Sequence, residues 1–123
     1  MAIHQSGEDY LEAILTLRQK TGYVRSVDVA AELGYSKPSV SIAMKKLREQ
    51  GYVRVNEAGL LFLTKEGEAL ACSVYERHKT LKKALMLLGV DEESAAEEAC
   101  KLEHAISDST LEKIKLYLQK VEG

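Results

Sequence analysis

The sequence contains no apolar run long enough to cross a membrane: its longest, Ala84 to Val90 with Gly89 inside it, falls far short of the roughly 20 residues a helical span needs. No charged start followed by an apolar stretch precedes the first helical pattern, so the cytoplasm is the expected location. Cysteine is scarce. Cys72 and Cys100 lie in helical-looking stretches and are too few for a disulfide framework, which points to free thiols in a reducing compartment, either buried or metal-bound. Internal repeats and low-complexity stretches are absent. An overall positive charge is absent too: the formal net charge is -2, so the chain as a whole does not advertise nucleic-acid binding.

What is there is a chain of 123 residues, 46% hydrophobic and 29% charged, the composition of one globular unit or two small ones sharing a core. Its charges are segregated. Between residues 36 and 50 stand Lys37, Lys45, Lys46 and Arg48 against Glu49 alone. Between residues 91 and 104 stand Asp91, Glu92, Glu93, Glu97, Glu98 and Glu103 against Lys101. A basic helix and an acidic helix in one small chain imply two tasks, one facing phosphates and one facing cations.

Hydrophobic periodicity predicts a first helix over Gly7 to Lys20, with Tyr10, Leu11, Ile14, Leu15 and Leu17 on one stripe. A short second helix follows, capped by Ser26, faced by Val29, Ala30 and Leu33 and ended by Gly34. Ser36 caps a third, in which Pro38 is tolerated because a first-turn N–H has no intrahelical partner, and Val40, Met44 and Leu47 form the buried stripe. Two alternating runs, Tyr52 to Val55 and Leu60 to Leu63, are joined by turn residues Asn56 to Gly59 and predict a β-hairpin. Thr64 then caps a long helix to Leu88, and two more helices are predicted over Asp91 to His104 and Ser107 to Val121. The fold class is mainly α: a winged helix-turn-helix with a two-strand hairpin wing over residues 1–72, then a helical segment over residues 73–123. Those last helices could hardly bury their apolar faces alone, so they are expected to pack on the first domain and on a second copy of the chain, as a homodimer.

The third helix opens with short polar groups, Ser36, Lys37, Pro38, Ser39 and Ser41, which suit a helix N-terminus in the major groove. Lys45, Lys46 and Arg48 further along, and Arg54 on the hairpin, are placed to meet flanking phosphates. A run of lysines is ordinarily a solvated helix face. Its conjunction with the helix-turn-helix spacing and a hairpin is what points to double-stranded DNA.

Asp9 and Glu12 are three apart on the first helix, and Cys100, Glu103 and His104 are spaced i, i+3, i+4 on the fifth; His78 is the only histidine of the long helix. Singly, such residues are mostly surface or packing. Together, carboxylate, imidazole and thiol suit a first-row transition ion better than calcium or magnesium.

At these residues the chain resembles the family of the diphtheria toxin repressor and the manganese transport regulator, bacterial metal-activated repressors. The resemblance runs over nearly the whole length. It is strongest at Gly7 to Ile14, the helix-turn-helix, Leu63 to Gly67, Arg77 and His78, Glu98 to His104, and Ile106 to Asp108. It implies a homodimer on a palindromic operator, and ligand positions at Asp9, Glu12, His78, Cys100, Glu103 and His104. Asp9 matches the manganese-type members and Cys100 the iron-type, so the implied site is a hybrid. A thiol bridges two ions less readily than a carboxylate; one ion held by Asp9, Cys100, Glu103 and His104 is therefore expected, with Glu12 and His78 serving a second ion or supporting the first. The ancillary positions of the iron type fall on Lys82 and Ala96 and do not transfer. The sequence stops at Gly123, which resembles the shorter type without an SH3-like domain. In the third helix Ser39 and Ser41 match DNA-contact positions, whereas Ile42 stands where some members carry a polar reader.

The implied function is a metal-activated repressor, not an enzyme, controlling Mn(II) or Fe(II) uptake and accepting Co(II) or Zn(II) in vitro. Mutual repulsion of its acidic groups would loosen the first helix until an ion neutralises them. Two alternatives are a winged-helix regulator responding to a protein or organic ligand and, more remotely, a metal-dependent hydrolase. Metal titration separates the first alternative; against the second stands the lack of an evident general base beyond the ligands.

Overall fold

A computed structural model describes residues 5–122. Along the described chain run α1 Gln5–Thr21, α2 Ser26–Leu33, α3 Lys37–Glu49, β1 Val53–Val55, β2 Leu61–Leu63, α4 Lys65–Leu87, α5 Glu92–Leu102 and α6 Asp108–Glu122. This is the mainly helical, hairpin-winged class that the periodicity predicts. The contacts divide into two units, one ending at Cys72 and the other beginning at Ser73, so the division falls within α4.

In the first unit the apolar stripes meet as their spacing demands. Leu11, Ile14 and Leu15 of α1, Val29 and Ala30 of α2, Val40, Met44 and Leu47 of α3, and Val53 and Leu61 of the hairpin are all buried. α1 packs on α2 and β2, and α3 on α2 and β1. Ser36 caps α3 by accepting the Ser39 N–H at 3.3 Å, with Pro38 in the first turn. For α2 the expected cap is corrected: Ser26 lies inside the helix and Arg25 is the N-cap. Asp28 provides the reason, because its carboxylate accepts the Arg25 N–H at 2.9 Å and satisfies a donor that the helix leaves open.

Arg25 also ties the wing. The strands pair Val53 with Leu63, Arg54 with Phe62 and Val55 with Leu61. Beyond that register, Leu61 N–H donates to the Val24 carbonyl at 2.7 Å, and Arg25 Nη1 donates to the Ala58 carbonyl at 2.8 Å. The turn itself is closed by Asn56, whose side chain accepts the Leu60 N–H at 2.9 Å, and by Gly59 at φ 81°, a left-handed conformation that side chains disfavour. Phe62 lies under two guanidinium groups, Arg18 at 4.7 Å and Arg54 at 5.6 Å from the ring centre.

The second unit is built from α5, α6 and the greater part of α4. Leu81, Ala99 and Leu111 form its buried core, with Ile106 and Ile114 packed against them. α5 ends at Leu102, two residues before its predicted end, so Glu103 is the C-cap and His104 lies in the following turn.

The start of α4 is fixed against the end of the preceding helix-turn-helix. Thr64 Oγ1 donates to the Gly51 carbonyl at 2.6 Å and accepts the Gly67 N–H at 3.0 Å. A Cβ on Gly67 would stand 2.0 Å from the Tyr52 carbonyl oxygen, so the backbones can approach only here. Helix propensity alone favours Gly67→Ala by about 1 kcal/mol. The overlap with rigid backbone outweighs that gain, and Gly67→Ala is expected to destabilise the protein by roughly 1–3 kcal/mol. Urea unfolding of the two proteins checks the sign; an alanine variant as stable as the parent would refute the close approach.

Candidate metal centre and nucleic-acid interface

Among the described residues Glu103 is the one charged residue in the buried core, 1% exposed. Its position follows from the local sequence: α5 delivers Cys100 in its last turn, and the next residues keep right-handed helical geometry, Glu103 at φ -60° and ψ -25°, before the chain turns toward Ser107. The i, i+3 relation between Cys100 and Glu103 therefore survives although the helix proper has ended. Ser107 accepts the Thr110 N–H at 3.1 Å and starts α6.

Around the carboxylate stand nitrogen and sulfur donors. Glu103 Oε1 is 2.9 Å from His78 Nδ1, which is 3.7 Å from Cys100 Sγ. One donor atom from each of His78, Cys100 and Glu103 lies within 4.8 Å of the other two. Glu103 Oε2 is fully buried with no hydrogen-bond partner among the described residues, and His104 Nε2 is 3.8 Å from it. A buried carboxylate oxygen left open is costly in an apolar interior, and a cation satisfies it. An orphaned oxygen on a carboxylate whose cluster also offers imidazole and thiol donors fits a divalent transition ion. The arrangement sets His78 between Glu103 Oε1 and Cys100 Sγ, a position open to either of its expected roles, serving a second ion or supporting the first.

Asp9 and Glu12 lie one turn apart on α1, in the first unit, both half-buried. Cys100 is exposed at the rim, and Cys72 is exposed too.

Reasoning from sequence gave no separate role to Arg77. Its Nε donates to the Glu103 carbonyl at 2.8 Å, Nη2 donates to the Ile106 carbonyl, and Nη1 reaches Asp108 at 2.6 Å. The Asp108 side chain is 97% exposed, so that ion pair adds little; the two carbonyls, which lose helical partners where α5 ends, carry the contribution. The adjacency of Arg77 and His78 on one helix was the available signal.

The DNA-facing candidates are all on the surface of the first unit. Ser36, Lys37, Pro38, Ser39, Ser41, Lys45, Lys46 and Arg48 are exposed along α3, and Arg54 is exposed on β1. The Ser36 hydroxyl is engaged in capping, and it bonds Ser39 Oγ at 2.8 Å.

A winged helix-turn-helix with a basic outer helix, followed by a helical unit holding an imidazole–thiol–carboxylate cluster, defines a DNA-binding regulator with a metal-binding domain. Comparison with known proteins agrees. The model of the iron dependent repressor N-terminal DNA binding domain matches residues 3–59, and that of the iron dependent repressor metal binding and dimerisation domain matches residues 64–123. The chain is 40% identical over 113 residues to the transcriptional regulator MntR of Escherichia coli O157:H7, covering 92% of this chain and 73% of that protein. It is also 40% identical over 118 residues to an uncharacterized HTH-type transcriptional regulator of Methanocaldococcus jannaschii, covering 94% of each. Of solved structures, a manganese-dependent transcriptional repressor in complex with manganese matches with a TM-score of 0.86 at 32% identity, over 92% of this chain and 52% of that one. The manganese regulator SloR matches with a TM-score of 0.83 at 32% identity, over 97% and 55%. The chain thus spans about half the length of these solved proteins. It belongs to the iron-dependent repressor family, which consists of transcriptional regulators and not enzymes. No helix among the described residues is long and apolar enough to cross a membrane.

The pKa of His78 is pushed up from 6.5 to about 10 by its hydrogen bonds to Cys100 and Glu103, against the opposing effect of burial. A raised folded-state value means that the charged imidazole stabilises the metal-free fold fully below pH 6.5, and that this contribution is lost as pH rises through about 10. An ion held by His78 would displace that proton at neutral pH. Metal uptake is therefore expected to release a proton from His78 and to strengthen with rising pH, which calorimetry in buffers of different ionisation enthalpy measures; release unchanged in His78→Ala would contradict the assignment.

Arg77→Lys keeps the charge and loses the planar fork that holds both carbonyls. It should lower metal affinity by about ten- to a hundredfold while leaving His78, Cys100 and Glu103 in place. A metal titration with a competing chelator reads this directly, and unchanged affinity would reduce Arg77 to a structural clamp.

Proposed function

We propose that this chain is a metal-activated transcriptional repressor that binds palindromic operator DNA as a homodimer in the cytoplasm, and that it controls genes for Mn(II) or Fe(II) uptake. The observation that carries this reading is the buried Glu103 carboxylate with one oxygen on His78 and the other open. Residues 1–72 act as the DNA-binding domain and residues 73–123 as the metal-binding and dimerisation domain.

His78, Cys100, Glu103 and His104 hold the ion in this reading, and Asp9 and Glu12 supply the carboxylates that the family resemblance assigns to the first helix. A divalent ion supplies positive charge against these acidic groups and ties the donors together. Glu103 provides its open oxygen, His78 gives up its proton, and Arg77 keeps the turn that carries Glu103 and His104 from relaxing. Cys100 adds a soft donor that raises affinity for Fe(II), and in vitro for Co(II) or Zn(II); Asp9 favours Mn(II). The names of the relatives, manganese regulators among them, support that choice of metals.

On DNA, α3 enters the major groove, with Ser39, Ser41 and Lys37 near its leading end, while Lys45, Lys46, Arg48 and Arg54 meet phosphates. The reading is tested with chelator-stripped protein and a pool of its own genomic promoter fragments under anaerobic conditions, without metal and then with Mn(II), Fe(II), Co(II) or Zn(II). Metal should tighten binding by about 5- to 150-fold, the usual range of coupling between two sites. Asp9→Ala, Glu103→Gln and His104→Ala should remove the activation and leave a folded dimer. Equal binding with and without metal would leave a plain winged-helix DNA binder, and activation that persists in all three variants would reject the ligand assignment.

A further inference from the structure

Ile42 is 71% exposed in the middle of α3. The buried stripe of that helix is Val40, Met44 and Leu47. Ile42 lies two positions from both Val40 and Met44, which on a helix of about 3.6 residues per turn is the opposite side. It therefore occupies the centre of the outward face. One turn before it stands Ser39, and one turn after it Lys45 and Lys46, all exposed.

Nothing local calls for isoleucine there. Its branched Cβ is a mild handicap in a helix, and a long polar residue would serve a solvated face better. The flanking lysines draw the face toward an anionic partner, and an apolar group between them needs an apolar feature on that partner. A major groove offers one on its floor, the C5-methyl of thymine.

We infer that Ile42 is a base-reading residue that recognises a thymine methyl group in the major groove, on the reading proposed above that α3 enters DNA. It supplies sequence discrimination to a helix whose other exposed groups, Pro38 and Glu49 aside, are hydroxyls and cations that mainly meet phosphates or accept several bases. Polar readers discriminate through hydrogen bonds; an isoleucine discriminates through a methyl contact that cytosine and uracil lack.

The experiment begins with Mn(II)-loaded wild-type protein and a library of randomised duplexes, from which tight binders are selected and sequenced. A consensus duplex is then made with deoxyuridine replacing each thymidine in turn, which deletes only the methyl group. Wild type should lose about fourfold in affinity at one position per half-site, the effect of one buried methyl. Ile42→Ala should bind thymine and uracil duplexes equally at that position, and Ile42→Val should keep most of the difference. Because the residue is exposed, both variants should unfold at the parent temperature. If a consensus emerges but no uracil substitution weakens wild type, or the loss is the same in Ile42→Ala, the inference is overturned while DNA binding stands. If no duplex is selected even with metal, the proposed function fails, and the inference falls with it.

Discussion

A carboxylate buried with only one of its two oxygens satisfied is the constraint around which the second unit is arranged. A carboxylate removed from water is tolerated only where the surroundings compensate for lost hydration, and among the described residues Glu103 has a side-chain hydrogen bond at Oε1 alone. The neighbours are explicable from that point outward. His78 supplies positive charge beside the carboxylate, and Arg77 holds the Glu103 carbonyl at the end of α5 and the Ile106 carbonyl in the turn beyond it. The ending of α5 at Leu102 sets the carboxylate at the head of the turn, where a further helical turn would have carried the chain past it. The raised pKa of His78 means that a metal held by this cluster would have to compete with a proton for the imidazole.

The first unit has a different logic, that of a small body stiffened at its seams. Its three helices and hairpin bury aliphatic side chains from every element, but the joins between elements rely on polar groups: Asp28 on the Arg25 N–H, Thr64 on the Gly51 carbonyl, Asn56 across the wing turn. The close approach of Gly67 to Tyr52 belongs to the same class of contact. Such joins fix the angles between elements, which burial of apolar surface alone specifies loosely.

Much of this was legible from residue order. Periods near 3.6 in α1 and α3, the cap at Ser36 and the Asn56 to Gly59 turn carry enough local information to locate the helices and the wing, and the family likeness extends over both units. What was hidden depends on contacts between distant residues. Arg25 was passed over as the N-cap because arginine has no acceptor; the compensating bond comes from Asp28, three residues on. The end of α5 was misplaced because helix propensity continues through Glu103, whereas Arg77, 26 residues earlier, captures its carbonyl. The role of His78 stays open between a second ion and support of the first, because spacing along one helix says nothing of how near α4 runs to the end of α5; in the structure it sits against Glu103 and Cys100. The DNA-facing residues are legible as a charge pattern, and the family likeness sets Ile42 at a reader position; its exposure in the structure agrees with that outward placement.

The bond from Arg25 to the Ala58 carbonyl fastens the tip of the wing to the cap of α2 across 33 residues of sequence. That bond resists independent movement of the wing. In the proposed complex, the less the reading head adjusts its reach to the groove, the more the duplex must bend or narrow to meet both contacts. Stiff and flexible base steps outside the touched positions then differ in how readily they comply. Operator choice would extend, through the mechanics of the DNA itself, to base pairs that no side chain contacts.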